Sequence, residues 1–140
     1  MSDSTLRGGE TDLTVLLSSM EPELIPGEFV FVSTAGVQAP SGLDPLASVV
    51  EPEGLSLVLT REQADEAGLS YDFVAAWITL RVNSSLAAVG LTAAVSTALA
   101  GAGISCNVIA GRHHDHLLVP HEHAEEALAI LSDWPPAHAQ

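Results

Sequence analysis

A histidine-rich segment, GRHHDHLLVPHEHAEEAL at residues 111–128, holds the side chains of this sequence that are best suited to chemistry. Five of the six histidines of the chain and four of its acidic residues lie in this segment. Imidazole and carboxylate groups are common metal ligands, and they are also the usual proton donors and acceptors of enzymes. The segment therefore raises two hypotheses, a metal site and a catalytic site.

The spacing of these residues gives a metal site little support. His114 and His116 would share one face of a strand and could chelate an ion, but Asp115 between them would face the other way. His121 and His123 would lie about 200° apart around a helix, too far to share an ion. The sequence has no HExxH or CxxC pattern. We predict no metal and no cofactor, and keep a metal-binding HHDH segment as the weakest hypothesis.

Catalysis has even less support in the sequence. There is no GxSxG motif, and neighbouring residues such as Asp115 and His116 cannot act together from opposite faces of a strand. The lone Cys106 lies in an apolar run, which is typical of a small core residue and excludes an intrachain disulfide. We therefore predict that the protein is not an enzyme and has no catalytic residue.

The composition excludes several classes of partner. The net charge is −14, from 18 acidic residues against four basic ones, so nucleic acid and anionic membranes are not expected partners. Apolar residues make up 47% of the chain and aromatic residues only 4%, which predicts an aliphatic core. The polar, acidic beginning MSDSTLRGGETD resembles neither a signal peptide nor a membrane span, so we expect a cytoplasmic protein.

The second half of the chain shows a clear order of elements: strand, helix, strand, strand, helix. The predicted ranges are a strand at 75–82, a helix at about 86–100, strands at 105–111 and 116–120, and a helix at about 120–132. In the first of these strands, Trp77 shares a face with Thr79 and Arg81, opposite to the apolar face. An indole on the face away from the helices predicts that this face is covered too, by the other half or by a second chain.

The first half has a similar order, but one helix is missing from it. We predict strands at 13–20, 29–34 and 55–59, a loop at 35–45, and a short extended run before the turn at 52–54. Two prolines limit the segment EPELIPGE, residues 21–28, to one helical turn at most. A short helix follows the third strand, where Thr60 and Gln63 have the spacing of a capping box and Gly68 is a stop signal.

The two halves are related by an internal repeat. When the sequence is shifted by 60 residues, LVLTREQADEA at 57–67 falls on LLVPHEHAEEA at 117–127 with five identities. A period of this length is typical of a duplicated α+β module rather than of a solenoid. The alignment places His121 and His123 where the first copy has Arg61 and Gln63. Because those positions require only polarity, the repeat favours a structural role for the histidines.

Two motifs carry a resemblance to a known family. NVIAGRHHDHLLVP at 107–120 and EPEGLSLVL at 51–59 resemble the ACT domain, and the likeness extends over about residues 12–133. More narrowly, the chain resembles small bacterial proteins with two tandem ACT modules, which are similar to the modules of aspartate kinases and of cytosolic arginine sensors.

The resemblance implies an α+β protein of two tandem ferredoxin-like βαββαβ modules with antiparallel sheets, the first module lacking a full first helix. The expected division is a disordered lead-in at 1–10, a first module at 11–72, a second at 73–134 and a tail at 135–140. It also implies a stand-alone regulatory or sensor protein that binds a small ligand, typically an amino acid, at an interface between modules or subunits.

In this family, ligand contacts come from the loop between the first strand and first helix and from the adjoining strand. In this sequence, those positions are Asn83, Ser84, Ser85, Leu86, Gly111, Arg112 and Asp115. The backbone N–H groups of a helix start would hold a carboxylate, and Asp115 would receive an ammonium group. The alternative function is a protein-interaction module with a degenerate pocket, and a homodimer or an unidentified protein partner fits either function.

Overall fold

The computed structural model describes residues 17–81 and 90–133, which form one six-stranded antiparallel sheet with helices on one face. The strands are β1 (Glu21–Thr34), β2 (Ala47–Glu51), β3 (Gly54–Thr60), β4 (Val74–Arg81), β5 (Asn107–Ala110) and β6 (Asp115–Pro120). The helices are α1 (Arg61–Glu66), α2 (Leu91–Gly101) and α3 (Ala124–Ser132), and a 3-10 turn, His121–His123, leads into α3. The strand order is β2-β3-β1-β4-β6-β5, and the predicted α+β class is confirmed. Within these two ranges, no helix is long and apolar enough to cross a membrane.

Strand β1 joins the two halves into a single sheet. Residues 29–34 pair with β3, and residues 21–30 pair with β4 on the other side, with a register break between Ile25 and Phe29. EPELIPGE, for which we predicted one helical turn at most, has none and is extended, so the break that we expected between two strands is absent. Its prolines are tolerated since residues 21–28 pair with a strand on one side only, and Pro26 lies within the register break.

The prediction of a strand at 13–20 was also wrong where the structure describes it. Residues 17–19 are helical, and Met20 is buried against the core of the second half. The place beside β4 is instead filled by residues 21–25 of β1. Residues 13–16 of this prediction lie outside the described ranges.

The strand registers confirm the internal repeat. Ala47 lies opposite Val58 in the first half, as Asn107 lies opposite Leu118 in the second. Both copies then pass from a strand directly into helical turns, at residues 60–61 and 120–121. Phe29 pairs with Thr60 in the first half, and Ala75 pairs with Pro120 in the second. The chain segment between the first two residues is 14 residues shorter than the segment between the second two. The missing length corresponds to α2, so the first half lacks its first helix as predicted, but the loop at 35–46 stands in its place and not EPELIPGE as expected.

The helix-covered face of the sheet holds two cores of unequal size. The larger lies under α2 and α3, and its buried residues are Met20, Ala76, Ile78, Leu80, Leu91, Val95, Leu99, Ile104, Leu117, Val119, Ala124, Ala127 and Leu131. The smaller lies under α1, and its buried residues are Val30, Val32, Leu55, Leu57, Leu59 and Ala64. Helix α2 contributes Leu91, Val95 and Leu99, whose four-residue spacing places them on one side of the helix.

The opposite face of the sheet, called here the helix-free face, carries a third apolar cluster. Its buried members are Phe29, Val58, Ala75, Trp77 and Leu118. Trp77 is only 8% exposed. Its ring lies 5.6 Å from that of Phe29 and 5.3 Å from that of His116, measured between centroids. The indole is therefore covered largely by side chains of its own sheet.

Candidate functional site

Three of the predicted ligand contacts lie in or beside the turn between β5 and β6. Gly111 donates its N–H to the carbonyl oxygen of His114 at 2.9 Å, which closes the turn. A Cβ atom at Gly111 would lie 2.8 Å from that oxygen, so the turn has no room for a side chain there. Arg112 is exposed on the same turn. The other four predicted contacts, residues 83–86, lie outside the described residues.

Asp115 opens β6 directly opposite Leu80, which belongs to the core under α2. Opposed residues of an antiparallel pair point to the same side of the sheet, so the carboxyl group shares the helix-covered face. Burial raises the pKa of Asp115, and the neighbouring His116 partly opposes this effect. A carboxylate that has lost part of its hydration is stabilised by a cationic partner.

His116 lies on the helix-free face, where its hydrogen bonds explain its presence. The indole Nε1 of Trp77 donates to Oγ1 of Thr79 at 3.0 Å, and that oxygen lies 3.0 Å from Nδ1 of His116. When the hydroxyl of Thr79 donates a hydrogen bond to Nδ1, the polar groups of Trp77, Thr79 and His116 in this network all have partners. Burial lowers the pKa of His116 and the charge of His114 lowers it further, while Asp115 raises it. The arrangement therefore suits a neutral imidazole.

The histidines do not assemble a metal centre in the described part of the chain. No group of three or more His, Cys, Asp or Glu side chains there could hold an ion. Nδ1 of His114 is buried without a hydrogen-bond partner, but the Nδ1 of His116 is already engaged by Thr79. The thiol of Cys106 packs against the larger core, and burial raises its pKa, as expected of a core cysteine.

A second group of polar residues lies where the two halves meet, and the sequence did not reveal it. Nη1 of Arg61 lies 3.3 Å from Oε2 of Glu28, and Nδ1 of His121 lies 4.0 Å from the same oxygen. The two residues that the repeat equates thus converge on one carboxylate. Glu28 was missed because its segment was expected to be a broken turn, whereas it lies at the register break of β1.

Arg61 is held firmly at this junction. Its Nε donates to the hydroxyl oxygen of Tyr71 at 2.8 Å, and that hydroxyl donates to Oδ1 of Asp65 at 2.7 Å. The guanidinium carbon lies 5.7 Å from the centre of the Tyr71 ring. Tyr71 raises the pKa of Arg61 most, followed by Glu28, so the guanidinium is charged under all ordinary conditions.

A cavity of 380 Å³, called here the junction cavity, opens beside these residues. Its walls come from both halves and comprise Glu28, Arg61, Asp72, Phe73, Val74, Pro120, His121 and Glu122. Two other cavities, of 460 Å³ beside Phe31 and 340 Å³ beside Leu43, are lined by residues of the first half alone. The junction cavity therefore combines charged groups of both signs with a wall contributed by each copy.

Two α+β repeats joined in one antiparallel sheet define a protein of tandem ferredoxin-like modules. Two models of the ACT domain match the chain, one over residues 8–76 and the other over residues 73–133. The chain belongs to the ACT-domain family and carries two ACT domains in tandem. ACT domains are typically regulatory modules that bind small ligands rather than catalytic ones.

Solved structures agree with this assignment. A Vibrio cholerae protein of unknown function, described as a possible transport protein, is 50% identical, with a TM-score of 0.78 over 86% of this chain and 93% of that chain. An Agrobacterium tumefaciens protein is 18% identical, with a TM-score of 0.63 over 81% of this chain and 87% of that one. The regulatory subunit of aspartate kinase from Thermus thermophilus is 12% identical, with a TM-score of 0.52 over 81% and 94%. The two distant structures share the fold, and no curated protein matches the sequence.

Proposed function

We propose that this protein is a regulatory sensor that binds an amino acid in its second ACT domain, beside the strand that the first half contributes. The observation that supports this proposal is the partly buried carboxyl group of Asp115 on the helix-covered face. Its raised pKa marks a site where a ligand ammonium group would restore the lost stabilisation. Gly111 and Arg112 lie on the adjoining turn, and we include them in the proposed site.

The start of α2 supports the carboxylate end of the proposed ligand. The residue that caps this helix is Gly90, which has no side chain to accept a hydrogen bond from the first turn. The backbone N–H groups at a helix start attract a carboxylate, and the helix dipole adds to that attraction. We include Asn83, Ser84, Ser85 and Leu86, which precede α2, in the proposed site.

A thermal-shift screen of the twenty amino acids tests this function. A ligand that binds only the folded state at a hundred times its Kd stabilises that state by about 2.7 kcal/mol, so one or a few amino acids should raise the Tm. Asp115→Asn should abolish the increase, whereas Asp133→Asn, an exposed isosteric control, should keep it. A screen in which no amino acid changes the Tm would contradict the function. An unchanged response of Asp115→Asn would contradict the site.

The helix-free face favours a second candidate function, protein interaction. Phe31 is 37% exposed on this face and Val49 is 60% exposed, and large exposed apolar groups commonly mark contact surfaces. A second copy docked there would make a homodimer. Light scattering should then give twice the chain mass of 14.5 kDa, and Phe31→Ser should restore the mass of a single chain. A single-chain mass for the unmodified protein at high concentration would exclude this candidate.

A further inference from the structure

The junction cavity lies at the point that relates the two copies. Thr60 and Pro120 are the last residues of β3 and β6, and they pair with Phe29 and Ala75, which pair with each other. The four central strands therefore meet in one row at the centre of the sheet. The cavity residues adjoin this row, and each copy contributes the first residue after its strand. The duplicated chain therefore has a cavity that is bounded by both copies and that a single copy would lack.

The charges around the junction cavity select the kind of molecule that it can hold. Three carboxylates, those of Glu28, Asp72 and Glu122, line it together with one guanidinium and one imidazole. A simple anion would be repelled by the three carboxylates, and a simple cation could contact the carboxylates but would leave the free Nη2 donors of Arg61 without a partner. A small molecule that carries one group of each sign can place its cation near the carboxylates and its anion near Arg61.

Arg61 has the hydrogen-bonding capacity that such an anion needs. Nε donates to Tyr71 and Nη1 to Glu28, while Nη2 has no partner among residues 17–81 and 90–133. A guanidinium carries five N–H donors, so these two bonds fix its position without exhausting it. Because Tyr71 and Glu28 already hold the side chain, little rotamer freedom would be lost when a ligand carboxylate binds.

The remaining walls suit the carbon skeleton of a small ligand. Phe73, Val74 and Pro120, all from the second half, are each partly buried and supply apolar contact surface. A volume of 380 Å³ lies at the lower end of the range for small-molecule pockets, about 300–1,000 Å³, which favours a ligand of amino-acid size. The exposed groups Asp72, His121 and Glu122 lie at the rim, where a ligand would enter.

We propose that the junction cavity is a second binding site, separate from Asp115, for a small zwitterion whose carboxylate is held by Arg61 and whose ammonium group is held by the carboxylates of Glu28, Asp72 and Glu122. The class of ligand rests on the proposed function, but the location does not. The site exists only in the joined pair of ACT domains, because Arg61 comes from one copy and His121 from the other.

An NMR titration of the full ¹⁵N-labelled chain separates the two sites. The probes are the twenty L-amino acids, with acetate and methylammonium as controls that carry one charge each. We expect at least one amino acid to shift the amide signals of Phe73, Val74 and His121, and neither control to do so. Shifts confined to residues 111–115 would overturn the junction site and leave the proposed function intact. Equal responses to either control would overturn the zwitterion class, and no response to any amino acid would overturn both proposals.

A pair of arginine variants identifies the anion-binding group. Arg61→Gln should weaken the binding that is read at Phe73 and Val74 by about tenfold or more, since it removes a charge-assisted hydrogen bond. Arg81→Gln is the matched control, because Arg81 pairs with Glu23 at 2.6 Å and does not line the cavity. The affinity of Arg81→Gln for the amino acid should stay within about twofold of the affinity of the unmodified protein. Equal affinities for the original protein and Arg61→Gln would overturn the assignment.

Discussion

The two ACT domains of this chain share a strand register but differ in what covers their sheets. In the second domain, α2 and α3 pack across the sheet and bury a large aliphatic core. In the first, a smaller core is covered by the six-residue α1 and by the partly buried side chains of Leu43, Leu69 and Tyr71. The comparison teaches that strand pairing preserves the fold after the loss of a helix, provided that a loop supplies some apolar cover.

The largest expected difference between the domains concerns this cover. Leu99 in α2 is fully buried, so Leu99→Ala should lower the free energy of unfolding by about 2–5 kcal/mol. Leu43 lies in the loop that replaces the helix in the first domain and is only partly buried. Leu43→Ala should therefore cost much less, about 1 kcal/mol. Urea denaturation measures both, and equal losses would show that loop and helix are equivalent covers.

A smaller difference concerns the helix-free face. Thr79→Val removes the hydroxyl that joins Trp77 to His116, so buried polar groups lose their partner and the free energy of unfolding should fall by about 1–3 kcal/mol. Ser33 takes the corresponding place in the first domain, opposite Ser56, and is exposed. Ser33→Val should change stability by no more than about 0.5 kcal/mol. Denaturation curves with matching midpoints for the two variants would refute this role of Thr79.

The smallest expected effect is a dependence of stability on pH. The pKa of His116 is lowered in the folded chain from the ordinary histidine value of 6.5, so the unfolded chain takes up this proton at higher pH. Its contribution to stability is complete above pH 6.5 and is lost as the pH falls through 6.5 towards the folded value. Unfolding of the original protein and of His116→Asn, followed from pH 8 to pH 5, should converge at low pH. A curve for His116→Asn that runs parallel to that of the original protein over this range would refute the assignment.

Local signals in the sequence predicted much of the fold. Val74–Arg81 alternates as expected, with Ile78 and Leu80 under the helices and Trp77 on the other face. Thr60 caps α1 by accepting the N–H of Gln63 at 3.2 Å. The side chain of Gln63, however, does not complete a capping box, because it bonds both backbone groups of Asp44 and ties down the long loop. Such a contact spans 19 residues and leaves no local pattern.

The junction residues could not be predicted for the same physical reason. Two prolines made the segment of Glu28 appear to be a break, and only the presence of β4 on one side of it explains why it stays extended. The approach of Arg61 and His121 to Glu28 follows from the strand order, which the sequence did not specify. The network of His116 likewise joins residues of two strands and became clear only with their register.

The 14-residue strand β1 limits how far the two copies can be separated. This one continuous strand pairs with β3 of the first copy on one side and with β4 of the second copy on the other. Separating the two copies into two chains would leave β1 without one of its two neighbouring strands. The exposed strand edges would then present unpaired backbone N–H and C=O groups, which favour aggregation. The two copies therefore depend on each other for strand pairing through β1.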